Sequence, residues 1–413
     1  MARQMKDSGI EWIGEIAEDH PLIKLKHVCQ ILDQYRSPVT ADQRSQTGEV
    51  LYDYYGASGA IDKIDGYTID DHVMLIGEDG ANLRLRNLPL MYEVNGKAWI
   101  NNHAHILKPN DGIDFYYLFY ALEALDINPY ITGSAQPKLS QENLKNILIP
   151  MPLLAVQRKI AVVIRKKSAE IDAVIGRTKA TIEEYKKLKQ AVITEMVTKG
   201  VRGARKMKDS GIEWIGEIPE EWRVLRGKNL FAETNERSIT GEEELLTVSH
   251  ITGITPRSQK NVNMFMSESL VDYKICRVND IAANTMWMWQ GAIGVSKYHG
   301  VISPSYNVYR QIMNAYDPDY LEYLLRIRPL FEAYNAHSTG ITASRLRLYP
   351  EQFLSFYFFI PDKTEQKEIV VHLDRMCREM DNLINEKTAL LVELETYKKS
   401  LIYEYVTGKK EVM

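Results

Sequence analysis

The dodecapeptide MKDSGIEWIGEI stands twice in this chain, at residues 5–16 and again at 207–218, identical throughout and 202 residues apart. A second, more diverged pair accompanies it. Residues 152–198 match 361–407 at a constant offset of 209, aligning Gln157 with Gln366, Ile160 with Ile369, Asp172 with Asp381, and Val197-Thr198 with Val406-Thr407. Each half is therefore a short opener, about 130 residues unlike their counterparts, and a closing segment. A solenoid stacks at least three repeats of roughly 20 to 50 residues. Two long repeats point instead to duplication and fusion, and to a pseudo-twofold molecule by analogy with symmetric dimers.

The closing segments carry heptads. In the first, Ile164, Ile171, Thr178, Tyr185 and Val192 form one row and Ser168, Ile175, Ile182, Lys189 and Met196 the other. The second has Leu373, Met380, Lys387, Leu394 and Leu401 beside Cys377, Ile384, Leu391, Lys398 and Tyr405, in the same register. Seven and then eight of the ten positions are apolar. Two helices of about 40 residues, about 60 Å long, are expected to pair antiparallel as a coiled coil. The alternative, each helix packing only on its own insert, is disfavoured by four or five heptads free of proline and of seam glycine. Gly200 and Gly203, within KGVRGARK, mark a C-cap and a basic linker. The expected division is 1–152 for the first globular insert with its opener, 153–206 for helix and linker, 207–361 for the second insert, and 362–413 for the second helix.

Between these frames the pattern is mixed, so the fold class is α+β. Residues 67–76 and 302–312 read as strands, and 114–125 and 319–331 as helices. The inserts end alike: at offset 209, Lys138-Leu139 coincides with Arg347-Leu348, Leu144 with Phe353 and Ile149 with Phe358. Charge adds a hint about partners. The chain has 51 Lys+Arg against 55 Asp+Glu, yet residues 157–208 hold fifteen basic and five acidic side chains. Such a segment suits a solvated helix face or a polyanion. Side chains able to read base edges concentrate in glycine-punctuated stretches. Candidates are Asn82, Arg84, Arg86, Asn101, Asn102, His103 and Lys138 in the first insert. In the second they are Asn284, Trp287, Trp289, Gln290, Lys297, Tyr298, Arg345 and Arg347.

Catalytic motifs do not emerge. Asn128-Pro129-Tyr130 lacks the second proline of a D/N-P-P-Y/F methyltransferase site and reads as a turn. The PD-(D/E)xK spacing fails in PDKTEQK at 361–367, where Asp362 and Glu365 fit helix capping. There is no GxxxxGK[ST], HExxH or GxSxG. His103 and His105 have no identifiable third metal ligand. Cys29, Cys276 and Cys377 show no CxxC pattern and suit a reducing compartment. With no apolar leader or span in the sequence, the expected location is the cytoplasm, away from any membrane.

The arrangement resembles the specificity subunits of type I restriction-modification systems over essentially the whole chain. The resemblance rests on the duplicated DSGIEWIGEIPEEW opener, the insert endings QPKLSQENLKNILIPMPLLAVQRKI and FFIPDKTEQKEIVVHL, and GAIGVSKYHGVISPSYNVYR at 291–310. Two departures stand out: AEDH replaces PEEW after the first opener, and Ala155-Val156-Gln157 stands where the second frame has Thr364-Glu365-Gln366. The resemblance implies a non-enzymatic subunit with two target-recognition domains, each gripping one half of a split, asymmetric double-stranded DNA site. The helix pair would act as a ruler and dock two modification subunits that bind S-adenosylmethionine and methylate adenine. Restriction subunits, where present, would add chemistry dependent on ATP and Mg, leaving this chain without a cofactor. Lys138, Arg347 and the linker would touch phosphates. Half-sites one DNA turn apart, about 34 Å, lie within reach of such a rod. The rival reading is a coiled-coil protein-interaction scaffold without nucleic acid, which the pI of about 6.2 favours and the basic segment opposes.

Overall fold

A computed structural model describes residues 4–11, 13–44, 50–260, 269–340 and 346–412. Two helices dominate it, Leu154–Lys199 with 46 residues and Lys363–Val406 with 44. The chain divides into two compact units, Met1–Lys179 with Ala389–Met413, and Ala180–Thr388. This differs from the four-part division expected from sequence, in which the helices stood apart from the inserts. The reason is burial. Ile160, Ile164, Leu401, Ile402 and Tyr405 share a core with Met74, Ile76, Leu107 and Leu118, and Ile193, Val197, Ile369 and Leu373 share another with Tyr309, Phe353 and Phe358. Each such side chain removed from water contributes about 1.5–3 kcal/mol, enough to make a helix end part of its head.

Within each unit the two helix portions run antiparallel. Lys398 Nζ bonds Asp172 at 2.6 and 2.7 Å in the first unit, and Lys189 Nζ bonds Asp381 at 2.7 Å in the second. These are one interaction made twice, since an offset of 209 converts each residue pair into the other. Of the seam positions, Ile164, Ile171, Ile175, Ile182, Leu373, Met380 and Leu401 are buried, whereas Met196, Ile384 and Leu391 are half-buried. Ser168 and Thr178 are buried as well. At the helix starts, Gln157 Oε1 accepts from Asp114 N–H (2.9 Å) and Gln366 Oε1 from Asp317 N–H (2.6 Å). Tyr117 donates to Pro150 O (2.6 Å) and reaches Val406 O (3.5 Å), and its counterpart Tyr320 donates to Val197 O (2.9 Å), the position equivalent to Val406.

The heads are α+β and share a sheet core. The first has six strands in the order Cys29–Ile31, Ala104–Pro109, Ile69–Gly77, Met91–Ile100, Leu51–Gly56, Gly59–Asp65. The second has four in the order Phe231–Thr234, Asn307–Gln311, Ile281–Ala283, Ile293–Val295. These match the first four strands of the larger sheet one for one, so topology outlasted sequence likeness. Each opener is a hairpin, Met5–Asp7 with Glu15–Ala17 and Met207–Asp209 with Glu217–Pro219, in the same register.

Helix Phe115–Ala124 matches the expected 114–125, with Asp114 accepting from Tyr117 N–H at 2.9 Å as its cap. The expected helix 319–331 is instead two, Pro318–Leu325 and Arg328–His337. Pro329 lacks an N–H and would clash with the Leu325 carbonyl in a continuous helix, so the first must end there and a new one starts with Pro329 in its opening turn. The expected strand 302–312 is likewise interrupted, as Gly300–Ile302 and Asn307–Gln311 flanking a loop that contains Pro304. Among the described residues no helix is long and apolar enough to cross a membrane.

Candidate nucleic-acid interface

In the first unit three segments meet at the end of strand Ile69–Gly77. Glu78 N–H donates to His103 O (2.8 Å), Leu139 N–H to Glu78 O (2.7 Å) and Gly80 N–H to Pro137 O (3.1 Å). The turn after the strand, the loop 101–103 and the segment 132–138 therefore form one surface. Exposed Arg84, Asn102, His103 and Lys138 lie on it. His103 Nδ1 is 2.7 Å from Asp79 Oδ2, Lys138 Nζ is 3.1 Å from Glu78 Oε1, and Arg84 Nη2 donates to Gly133 O at 3.3 Å.

Three candidates chosen for their chemistry serve the backbone here. Asn82 Oδ1 accepts from Leu88 N–H (2.8 Å) while its amide donates to Leu88 O and Pro89 O, closing the loop after the short helix Asn82–Leu85. Asn101 is buried and its Oδ1 accepts from His103 N–H at 2.8 Å. Arg86, in the left-handed region at φ 52°, donates to the carbonyls of Leu125 and Glu123 and pairs with the Glu123 carboxylate. Burial pushes the Glu123 carboxyl above its usual range even though Arg86 stands beside it. The guanidinium of Arg86 is thus committed to carbonyls that would otherwise be unpaired.

Sequence reasoning missed the network beneath this surface. Arg36 Nη1 pairs with Glu78 and donates to Asn102 O at 3.2 Å, and its Nη2 lies 3.3 Å from Asp33 Oδ2. His105, buried, sets Nδ1 2.7 Å from Asp33 Oδ2 and Nε2 2.8 Å from Leu139 O, so it faces no shared metal site with His103. Burial raises the carboxyls of Asp33 and Glu78, but the bonds from His105 and Gln141 on one, and from Arg36 and Lys138 on the other, outweigh it and hold both below their ordinary range. Beyond the Asp33–Arg36 pair itself, nothing in the local sequence signals this, because their other side-chain partners Glu78, His105 and Gln141 lie 42 to 108 residues away.

The second unit builds the corresponding end from different residues. By strand order, the turn after Ile281–Ala283 corresponds to 78–82, and the loop before Asn307–Gln311 to 101–103. Asn284, buried, joins them: its Nδ2 donates to Tyr306 Oη (2.8 Å) and its Oδ1 accepts from Met286 N–H (3.2 Å). Thr285 Oγ1 donates to Ser305 O at 2.7 Å. Trp287 is 47% exposed and stacks on Trp289 with ring centroids 6.3 Å apart and planes 14° off parallel. Trp289 Nε1 donates to Met286 O (3.0 Å), fixing the turn. Gln290 is half-buried beside it. The turn closes on Gly291 at φ +88°, where a Cβ would run into the Phe331 ring. Arg347, exposed, is bridged to Thr339 through its backbone, much as Lys138 is bridged to Thr132.

Lys297 and Tyr298 do not join this group. They follow strand Ile293–Val295, at its other end. Lys297 Nζ pairs with Asp319 at 3.0 Å, which raises its ammonium pKa, and Tyr298 packs on the side cluster of Leu246, Val248 and Ile254. Arg345 lies outside the described residues. The loop 303–306, with exposed Ser305, was missed as a surface element although it stands inside GAIGVSKYHGVISPSYNVYR; only strand pairing reveals its equivalence to 101–103.

The chain is similar to known proteins over much of its length. Residues 18–184 match the model of the type I restriction modification DNA specificity domain. A type I restriction enzyme specificity subunit of Haemophilus influenzae is 26% identical over 383 residues, spanning 92% of each chain. A second, the MjaX specificity subunit of Methanocaldococcus jannaschii, is 30% identical over 245 residues, 52% of this chain and 53% of that one. Among solved structures, a chain from work on complex assembly and conformational transition of the type I R-M system aligns with a TM-score of 0.66 over 96% of this chain and 99% of its own. At 14% identity that likeness is one of fold.

Proposed function

We propose, for a chain that belongs to the family of type I restriction-modification DNA specificity subunits, that each unit reads one half of a split, asymmetric duplex-DNA site through the loop end of its sheet. The observation that carries this reading is the contrast between frame and loops. Both units keep the same four-stranded core and helix contacts, yet one loop end presents Arg84, Asn102, His103 and Lys138 and the other Trp287, Gln290, Ser305 and Arg347. A scaffold gripping two copies of one partner would need like surfaces; a reader of two unlike half-sites needs unlike ones. Lys138 and Arg347 supply phosphate contacts, as does the basic stretch 157–208, and affinity falls with salt accordingly. Asn82, Arg86, Asn101 and Asn284 shape the loops that touch bases.

The two long helices dock two modification subunits, with S-adenosylmethionine bound on those partners. ATP and Mg belong to restriction subunits where these are present. This chain contributes recognition and no catalytic step, and works in the cytoplasm. The test is methylation mapping in a host with and without the chain, then with residues 21–150 replaced by another insert. A two-part motif that depends on the chain, and a swap that alters one half alone, are expected. A single continuous motif, or a swap that alters both halves, overturns the reading. With the partner subunits present, retention on duplex DNA that falls as salt rises is expected, and no retention at any salt would favour the protein-interaction scaffold instead.

A further inference from the structure

We propose that Arg36, which presents no group to the DNA, is the positioning residue of the first loop end and thereby sets which bases the first half-site accepts. The inference rests on the reading of that end as DNA-facing. Three segments must hold a common geometry there, and Arg36 is bonded, directly or through one carboxylate, to all of them. It donates to Asn102 O at 3.2 Å and Ala104 O at 3.5 Å, which fixes the loop carrying Asn102 and His103. It pairs with Glu78, the first residue of the turn, and Glu78 Oε1 in turn lies 3.1 Å from Lys138 Nζ on the third segment. Arg36 Nε donates to Asp33 O at 3.3 Å. Asp33 in turn holds His105 Nδ1 at 2.7 Å, Gln141 Nε2 at 3.1 Å and Ile106 N–H at 3.1 Å.

The planar fork of a guanidinium is what allows one side chain to serve two carboxylates and three carbonyls at once, and an ammonium cannot copy it. The Arg36 side chain is 19% exposed and those of Asp33 and Glu78 are 8% and 14%, so the pairs are shielded from solvent and hold the loops stiffly. Lys138 remains 57% exposed, anchored at its base by backbone pairing with Thr132 and Asp79 and held by Glu78 with its ammonium at the surface. Among the described residues the second unit has no such hub at its loop end. Its charged cluster of Arg310, Asp280, Glu236 and Arg277 gathers around the residue before strand Ile281–Ala283, whereas Glu78 is the residue after strand Ile69–Gly77. The second half-site is therefore an internal control within the same molecule.

The experiment uses the full chain with its modification subunits and compares wild type with Arg36→Lys and Glu78→Gln. Methylation is mapped genome-wide and scored position by position in each half-site, and thermal unfolding is measured alongside. The expected result is methylation at first-half-site mismatches raised about tenfold, equivalent to about 1.4 kcal/mol, the size of one weakened base contact. The second half-site and the gap stay as in wild type, and the unfolding midpoint moves little. Relaxation of both halves together, or of neither, overturns the proposal. If wild type itself yields no split motif, the DNA-reading function fails first and this proposal falls with it, an outcome distinct from unchanged first-half-site fidelity in a working complex.

Discussion

Glu365 and Val156 occupy the same frame position, and the difference between them reorganises everything they touch. In the second unit Trp222 Nε1 donates to Glu365 Oε2 at 2.9 Å, Arg205 Nη2 lies 2.6 Å from Glu365 Oε1, and the carboxylate is fully buried. In the first unit the Trp222 position is His20, whose Nδ1 is 3.2 Å from Val406 O, and no acid is present at 156. The two departures between the repeats are thus one coupled exchange: an indole N–H needs an acceptor, and where the indole is lost the buried carboxylate goes too. From sequence, Asp362 and Glu365 both fitted helix capping. Asp362 does cap, its Oδ1 accepting from Thr364 and Glu365 N–H at 2.9 Å, but Glu365 turns inward. Glu365→Ala is expected to destabilise the chain by about 3 kcal/mol, because Arg205 and the indole lose a buried partner. The double change Trp222→His with Glu365→Val, which rebuilds the other unit's arrangement, should cost less than the sum of its singles in a urea-unfolding cycle. Strict additivity would show that the two sites are independent. Residue type alone misled for the same reason at Arg86, Asn101 and Asn284: the groups that read base edges also satisfy backbone carbonyls and amides, and only the fold decides which.

The long helices were the most legible elements, since period and register recur over several turns and survive duplication. In the first, the buried positions Ile164, Ser168, Ile171, Ile175, Thr178 and Ile182 alternate steps of four and three, the spacing of a heptad seam. The second unit's sheet was far less legible, because strands of three residues, such as Ile281–Ala283 and Ile293–Val295, offer too few positions for an alternation to show, whereas in the first the expected strand 67–76 stands as Ile69–Gly77. Pro329 was visible yet sat inside an expected helix, since a proline is as welcome in a first turn as it is excluded from an interior. Within the seam, Thr178 returns its hydroxyl to Val174 O at 2.9 Å, whereas Ser168 Oγ is buried with no hydrogen-bond partner among the described residues. Ser168→Ala therefore removes an uncompensated polar group and should raise stability by about 1 kcal/mol in urea unfolding. A loss of stability would mean that the hydroxyl is bonded after all.

At the scale of the whole chain, the duplicated frame makes one geometric demand that can be put to the test. If the helices set the gap between half-sites, removing residues 178–184 from the first and 387–393 from the second, positions equivalent at offset 209, shortens the stem by one heptad. Seven residues at 1.5 Å each amount to about 10 Å, or about three base pairs at about 3.4 Å. Rotation behaves differently. A heptad is close to two full helical turns, so facing directions drift by only about 20°. Three base pairs, at about 10.5 per turn, swing the groove by about 100°. The shortened protein can meet its half-sites only by twisting or bending the DNA between them, at a deformation cost of several kcal/mol. The expected outcome is therefore double: methylation mapping finds both half-sites unchanged around a shorter gap, and binding to that site is weaker than wild-type binding to its own. An unchanged gap would show that the helices do not measure it, and altered half-sites at the old gap would show that the loop ends do not read independently of the stem.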